Sequence, residues 1–200
     1  MKERQWKDDG VFSQTIRDLK NCRTCEQRLP LGANPIFQLH PMAQILIASQ
    51  APGSAAHNSG IPFQDPSGKR LRSWLGVNET TFYQADKFAI MPMAFCYPGR
   101  GQGGDLPPSK ECAPLWHDKL LQQMPNIRLT LVIGKYAITR YMPHLKNNKL
   151  TDILIEQDFT RAEKIVLPHP SPRNNIWLKK APWFEEEYVP KLQQRIATLI

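Results

Sequence analysis

Long apolar runs, acidic side chains and cysteine are all scarce in this chain, and each scarcity excludes something. No hydrophobic stretch approaches the roughly eighteen residues that a membrane span requires. The opening MKERQWKDDG is too charged for the apolar segment of a secretory signal, so a cytoplasmic protein without a membrane partner is expected, nucleoid-associated if bacterial. No repeat or low-complexity tract is present. Asp and Glu number 18 against 26 Lys and Arg, which gives a net charge of +8 and a pI near 9.4. That balance suits either a polyanionic partner or a merely solvated basic surface.

The only cysteines are Cys22, Cys25, Cys96 and Cys112, spaced C-x2-C, a gap of about seventy residues, then C-x15-C. Two thiols on one short loop and two from a distant segment can supply the four thiolates that cubane iron–sulfur clusters and structural zinc both take. Two disulfides are the alternative, disfavoured by the expected reducing compartment. A thioredoxin-like pair would leave Cys96 and Cys112 unused.

With 200 residues, 41% of them hydrophobic, the chain can build one substantial core, and a single domain over residues 1–200 is expected. A monomer is expected as well. Four short apolar runs read as buried strands: AQILIAS (43–49), KFAIMPMAF (87–95), LTLVIG (129–134) and KIVLPH (164–169). Their near-continuous hydrophobicity suits a parallel sheet covered on both faces. Helical patterns lie at VFSQTIRDLK, at LRSWLGV after Pro66, from Pro108 with Ser109 as N-cap or Pro108 at N1, from Lys135, and across FEEEYVPKLQQRIATLI. The alternation predicts an α/β fold, a three-layer α/β/α sandwich whose function gathers beyond the carboxyl ends of the strands.

Three loops sit at those ends. The first, SQAPGSAAHNSGIPFQDPSGKR, is stiffened by prolines and loosened by glycines, so its backbone can approach a ligand closely, with the Phe63 ring able to flank a planar group. The proline-rich PGRGQGGDLPPS (98–109) is the longest irregular stretch. The third, HPSPRNNIWLKKAPW, fixes His169 between two prolines and follows it with Arg173, Asn174, Asn175, Trp177, Lys179 and Lys180. That mixture suits phosphate contact and insertion into a duplex.

The cysteine spacing, the APG turn, the G-x-P-F of Gly60 to Phe63 and the final His-Pro occur in the order found in the iron–sulfur branch of the uracil-DNA glycosylase superfamily, which the chain resembles over most of its length. HPSPRN, His169 to Asn174, is similar instead to the single-strand-selective monofunctional branch. The resemblance implies a central four-stranded parallel sheet and a structural [4Fe-4S] cluster on Cys22, Cys25, Cys96 and Cys112, with zinc the alternative. It implies a monofunctional DNA N-glycosylase that flips a deaminated base from DNA, uracil by default, and hydrolyses its glycosidic bond. Phe63 would stack on that base, the backbone at Gln50 and Ala51 would meet its edge, and His169 would stabilise the departing anion. Ser171, Arg173 and Asn174 would hold the opened duplex, and Lys179 and Lys180 would contact phosphates.

The chain departs from that family's pattern where chemistry is concentrated. Gln50 stands where a glutamate is usual and cannot act as a carboxylate base. Ala55, Ala56 and His57 replace the usual acidic residues, which leaves His57 as the nearby titratable group for water. Pro92 occupies the position of the asparagine whose amide reads uracil, and proline has neither an amide side chain nor a backbone donor. Hypoxanthine and xanthine therefore join uracil as substrates to consider. A catalytically weak or inactive iron–sulfur DNA-binding protein of the same fold is the second reading.

Overall fold

The four apolar runs each supply a strand because their side chains have nowhere polar to point. In the computed structural model, which describes residues 10–200, every residue of β1 (Ile45–Ala48) and β2 (Phe88–Ile90) is buried. A two-stranded hairpin follows, β3 (Arg100–Gly101) against β4 (Gly104–Asp105), and then β5 (Leu129–Ile133) and β6 (Lys164–Leu167). The opening residues 1–9, read above as too charged for a signal segment, lie outside the described residues. β1, β2, β5 and β6 form one parallel sheet in the order β2-β1-β5-β6. The chain leaves β1 in one direction and returns past it to β5, so the order reverses beside β1, where open α/β sheets place their ligands.

Helices cover both faces, as the alternation predicted. On one face α1 (Val11–Lys20) packs Phe12 and Leu19, with Trp116 and Leu120 from later in the chain, onto Leu46, Ala89 and Met91. Along the chain follow α2 (Ser54–Ser59), α3 (Pro66–Leu75), α4 (Glu79–Phe82), α5 (Cys112–Gln122), α6 (Gly134–Tyr141), α7 (Leu150–Ile155), α8 (Asn175–Lys180) and α9 (Val189–Ala197). On the other face Leu71 and Trp74 of α3 and Leu192 and Ile196 of α9 meet Ile45, Ile47, Phe88 and Ile90. Among the described residues no helix is long and apolar enough to cross a membrane.

Three boundaries differ from the sequence reading. The helix expected from Pro108 starts at Cys112, because Ser109 does not cap it: the Ser109 hydroxyl is 2.6 Å from Glu111 Oε2 and 3.0 Å from Cys25 Sγ. The strand expected over 87–95 ends at Ile90, although Met91 still donates to the Ile47 carbonyl and the nitrogen of Pro92 faces away from β1. Met93 and Ala94 nonetheless donate to the carbonyls of Ser49 and Gln50, so the chain keeps following β1. The last helix begins as a π-helical turn, Phe184–Tyr188, ahead of α9. Pro190 near the start of α9 cannot donate to the carbonyl four residues earlier, and the ladder widens there.

Candidate active site

A cavity of about 460 Å³ opens at the carboxyl ends of β1, β2 and β6. Its walls include Gln50, Ala51, Pro52 and Gly53 after β1, Pro92 after β2, and His169, Ser171, Arg173 and Asn174 after β6, with Phe63 between. The loops inspected in the sequence thus meet around one space.

Phe63 is held there by its backbone. It is the only non-glycine residue with positive φ among the described residues, at 57°, a conformation an aromatic residue adopts at a cost. The compensating contacts are specific: Arg72 Nη1 donates to the Phe63 carbonyl at 3.3 Å and the Tyr83 hydroxyl donates to the Pro62 carbonyl at 2.9 Å. The Phe63 carbonyl also lies so close to Gly68 that a Cβ there would stand 1.6 Å from its oxygen. Beneath, Phe82 meets the Phe63 ring edge-on at 6.2 Å. Asp65 caps α3 by accepting from the Gly68 N–H at 2.8 Å, and it too lines the cavity.

His169 is half-buried at the opposite wall. Its Nδ1 accepts from the Ser171 N–H at 3.2 Å, so the neutral imidazole carries its proton on Nε2. Burial pushes its pKa below the ordinary histidine range, against an opposing pull from Asp65 and Asp105. At neutral pH His169 therefore offers the cavity an uncharged N–H donor. The loop around it is tied down: Asn174 Nδ2 donates to the His169 carbonyl at 2.6 Å, and Arg70 Nη1 donates to the carbonyls of Pro170 and Ser171 at 3.3 and 3.2 Å. Arg70 Nη2 adds a 2.8 Å bond to Asn175 Oδ1.

Pro92 is fixed through its carbonyl, which accepts from His117 Nε2 at 3.0 Å; His117 Nδ1 in turn accepts from the Tyr141 hydroxyl at 2.8 Å. Gln50 Nε2 makes a long 3.4 Å bond to the Leu106 carbonyl. Other expected residues lie elsewhere. His57 does not line the cavity: its ring lies beside Tyr97 at 6.1 Å, with Nδ1 buried and unpartnered. Lys179 and Lys180 are exposed at the end of α8. Arg173 is engaged with the hairpin, donating to the Gly103 carbonyl at 2.9 Å.

The residues missed from sequence are acidic. Asp105 lines the cavity from β4, inside the proline-rich 98–109 stretch already read as a strand-end loop, but it stands in no motif that would single it out. Asp65 carried a readable signal, since an Asp ahead of Pro at a helix start is a capping pattern.

A second cavity of about 370 Å³ is walled by all four cysteines, together with Leu19, Phe95, Pro98, Leu106 and Trp116. All four are free thiols. Among the described residues no three His, Cys, Asp or Glu side chains converge as ligands of a single metal ion. Burial pushes the Cys96 thiol up to about 11 and the Cys112 thiol up to about 12. The Phe95 N–H donates to Cys112 Sγ at 3.4 Å, and the Cys25 and Ser109 side chains pair at 3.0 Å. The Trp116 indole N–H is buried in the same wall and faces the Cys22 sulfur, where it favours the thiolate. Four thiols around a chamber, with an indole donor facing them, fit a sulfur-rich anionic group larger than one ion.

Compared with protein-family models, the chain matches the uracil DNA glycosylase superfamily over residues 37–193. The match contains Cys96, Cys112 and every residue named above for the first cavity; Leu19, Cys22 and Cys25 of the second precede it.

Proposed function

The chain belongs to the uracil DNA glycosylase superfamily, and on that premise we propose that it excises a deaminated base from DNA by hydrolysing the glycosidic bond. The observation that carries this reading is the pairing, across one cavity, of a rigidly held Phe63 ring with an uncharged His169 donor. The base leaves its stack, lies against Phe63, and departs as an anion that His169 Nε2–H meets. A neutral donor suits this task because the negative charge arises only as the bond breaks.

The Gln50 side chain leaves its amide oxygen to meet the N–H of a base edge, while its nitrogen reaches the Leu106 carbonyl. Pro92 offers the base no donor, and its carbonyl already accepts one bond from His117. Ser171, Arg173 and Asn174 rim the opening as duplex contacts, and Lys179 and Lys180 extend a basic surface toward phosphates.

Cys22, Cys25, Cys96 and Cys112 would hold a [4Fe-4S] cluster, which supplies a cross-link between the N-terminal loop and the segment leading into α5. Purified protein should then be brown and contain about four iron and four sulfide per chain; colourless protein carrying stoichiometric zinc would replace the cluster with the zinc alternative.

The activity test is single-turnover cleavage of oligonucleotides carrying uracil, hypoxanthine or xanthine, scored as alkali-labile product. His169→Ala should slow excision by about 10²–10³ while duplex binding persists. The second reading, a DNA-binding protein without catalysis, draws on the amide at Gln50 and the loss of a donor at Pro92. Salt-sensitive binding with no abasic product on any of the three bases would establish it instead.

A further inference from the structure

We propose that Asp105 is the general base of this reaction: it holds the attacking water and takes its proton. The inference deepens the glycosylase reading and rests on it.

Hydrolysis requires a group that can accept a proton beside the sugar. Gln50 cannot, and His57 is outside the cavity wall. The carboxylates that do line the cavity are Asp65 and Asp105. Asp65 Oδ1 is committed to the Gly68 N–H as the cap of α3, beneath Phe63. Asp105 comes from the other side. Its Oδ2 lies 3.7 Å from where a Cβ on Gly53 would stand, so the carboxylate faces the bare side of the glycine in the turn after β1. It is exposed to the cavity, acts through space on His169, and is engaged by the Tyr97 phenol both through space and by a side-chain hydrogen bond that orients the carboxylate.

The support beneath Asp105 is rigid. Leu106 N–H closes the hairpin onto the Gly99 carbonyl at 2.9 Å, Arg173 holds Gly103 at 2.9 Å, and Gln50 reaches the Leu106 carbonyl at 3.4 Å. Gly104 admits Arg173 because it has no side chain: a Cβ there would stand 1.4 Å from the guanidinium Nη1. A carboxylate anchored to the two loops that grip the base stays in register with the bond to be cut. In the step itself the C1′–N bond breaks with its electron pair going to the base, met by His169. The water oxygen bonds to C1′, and the water proton passes to Asp105. The products are the free base, protonated from solvent, and an abasic site.

The test is single-turnover excision by the full chain on whichever panel base the wild type cleaves. Asp105→Asn and Asp105→Ala should each be slower by about 10²–10³. Their affinity for an abasic-site duplex should stay within about threefold of wild type, and formate should restore part of the Asp105→Ala rate, which a merely structural residue would not allow. Both variants cleaving at the wild-type rate would overturn the assignment, as would a rate loss matched by lost duplex affinity. If the wild type cleaves no base in the panel, the glycosylase reading fails and this falls with it; an active wild type with indifferent variants removes Asp105 alone.

Discussion

Gly68 is where the smallest side chain controls the largest one in the cavity. The Phe63 carbonyl occupies the space a Cβ would need, so Gly68→Ala must push Phe63 out of its positive-φ conformation or open the first turn of α3. We expect a loss of about 1–3 kcal/mol in a denaturant midpoint series, together with reduced excision. A variant that melts and cleaves like wild type would show that the contact is not maintained. His117 makes a different kind of prediction. Burial holds its pKa down to about 4 from an ordinary 6.5, and the neutral ring uses both nitrogens. The unfolded chain takes up the proton near pH 6.5 and the native chain only near pH 4, so this stabilisation is complete above pH 6.5 and is lost as the pH falls to 4. The difference corresponds to about 3 kcal/mol. Melting temperature should drop steeply across that interval, and His117→Gln should flatten the drop; equal slopes in the two proteins would exclude His117 as the source.

At the scale of elements, the loop after β6 depends on a residue of another helix. Arg70 donates to two carbonyls of that loop and to the side-chain oxygen of Asn175 at the start of α8. Arg70→Lys keeps the charge and loses the fork, so excision should slow by about ten- to a hundredfold with little change in melting temperature. Stopped-flow excision beside a thermal melt checks both halves. The same scale shows what the sequence made legible. The four strands were readable because a buried parallel strand is apolar on both faces, and α1 because its apolar residues repeat on one face. α2, α4, α7 and α8 were not: each is four to six residues long, too short to display a helical period. The hairpin was hidden by strands of only two residues each. His169 and Gln50 were legible because they follow strands directly, and Phe63 because it ends the G-x-P-F run, whereas Asp105 sits in an irregular 98–109 loop where no local pattern singles it out.

For the molecule as a whole, the net charge of +8 makes its encounter with DNA a matter of ionic strength. Log affinity should fall linearly with log salt, and each of Lys179 and Lys180 that contacts a phosphate should contribute about 0.9 to the slope. Binding titrations of Lys179→Ala and Lys180→Ala at several salt concentrations read this directly; an unchanged slope would place the phosphate contacts elsewhere. The two cavities also share a boundary. Asp105 faces one and the next residue, Leu106, faces the other. By composition, the glycine-rich tip at 101–104 looks like a permissive place to lengthen the chain or graft a tag. It is a partition between two rooms, and one added residue would turn its side chains to the wrong sides. Insertions belong instead in the exposed polar turn at 146–149, where no cavity named here has a wall.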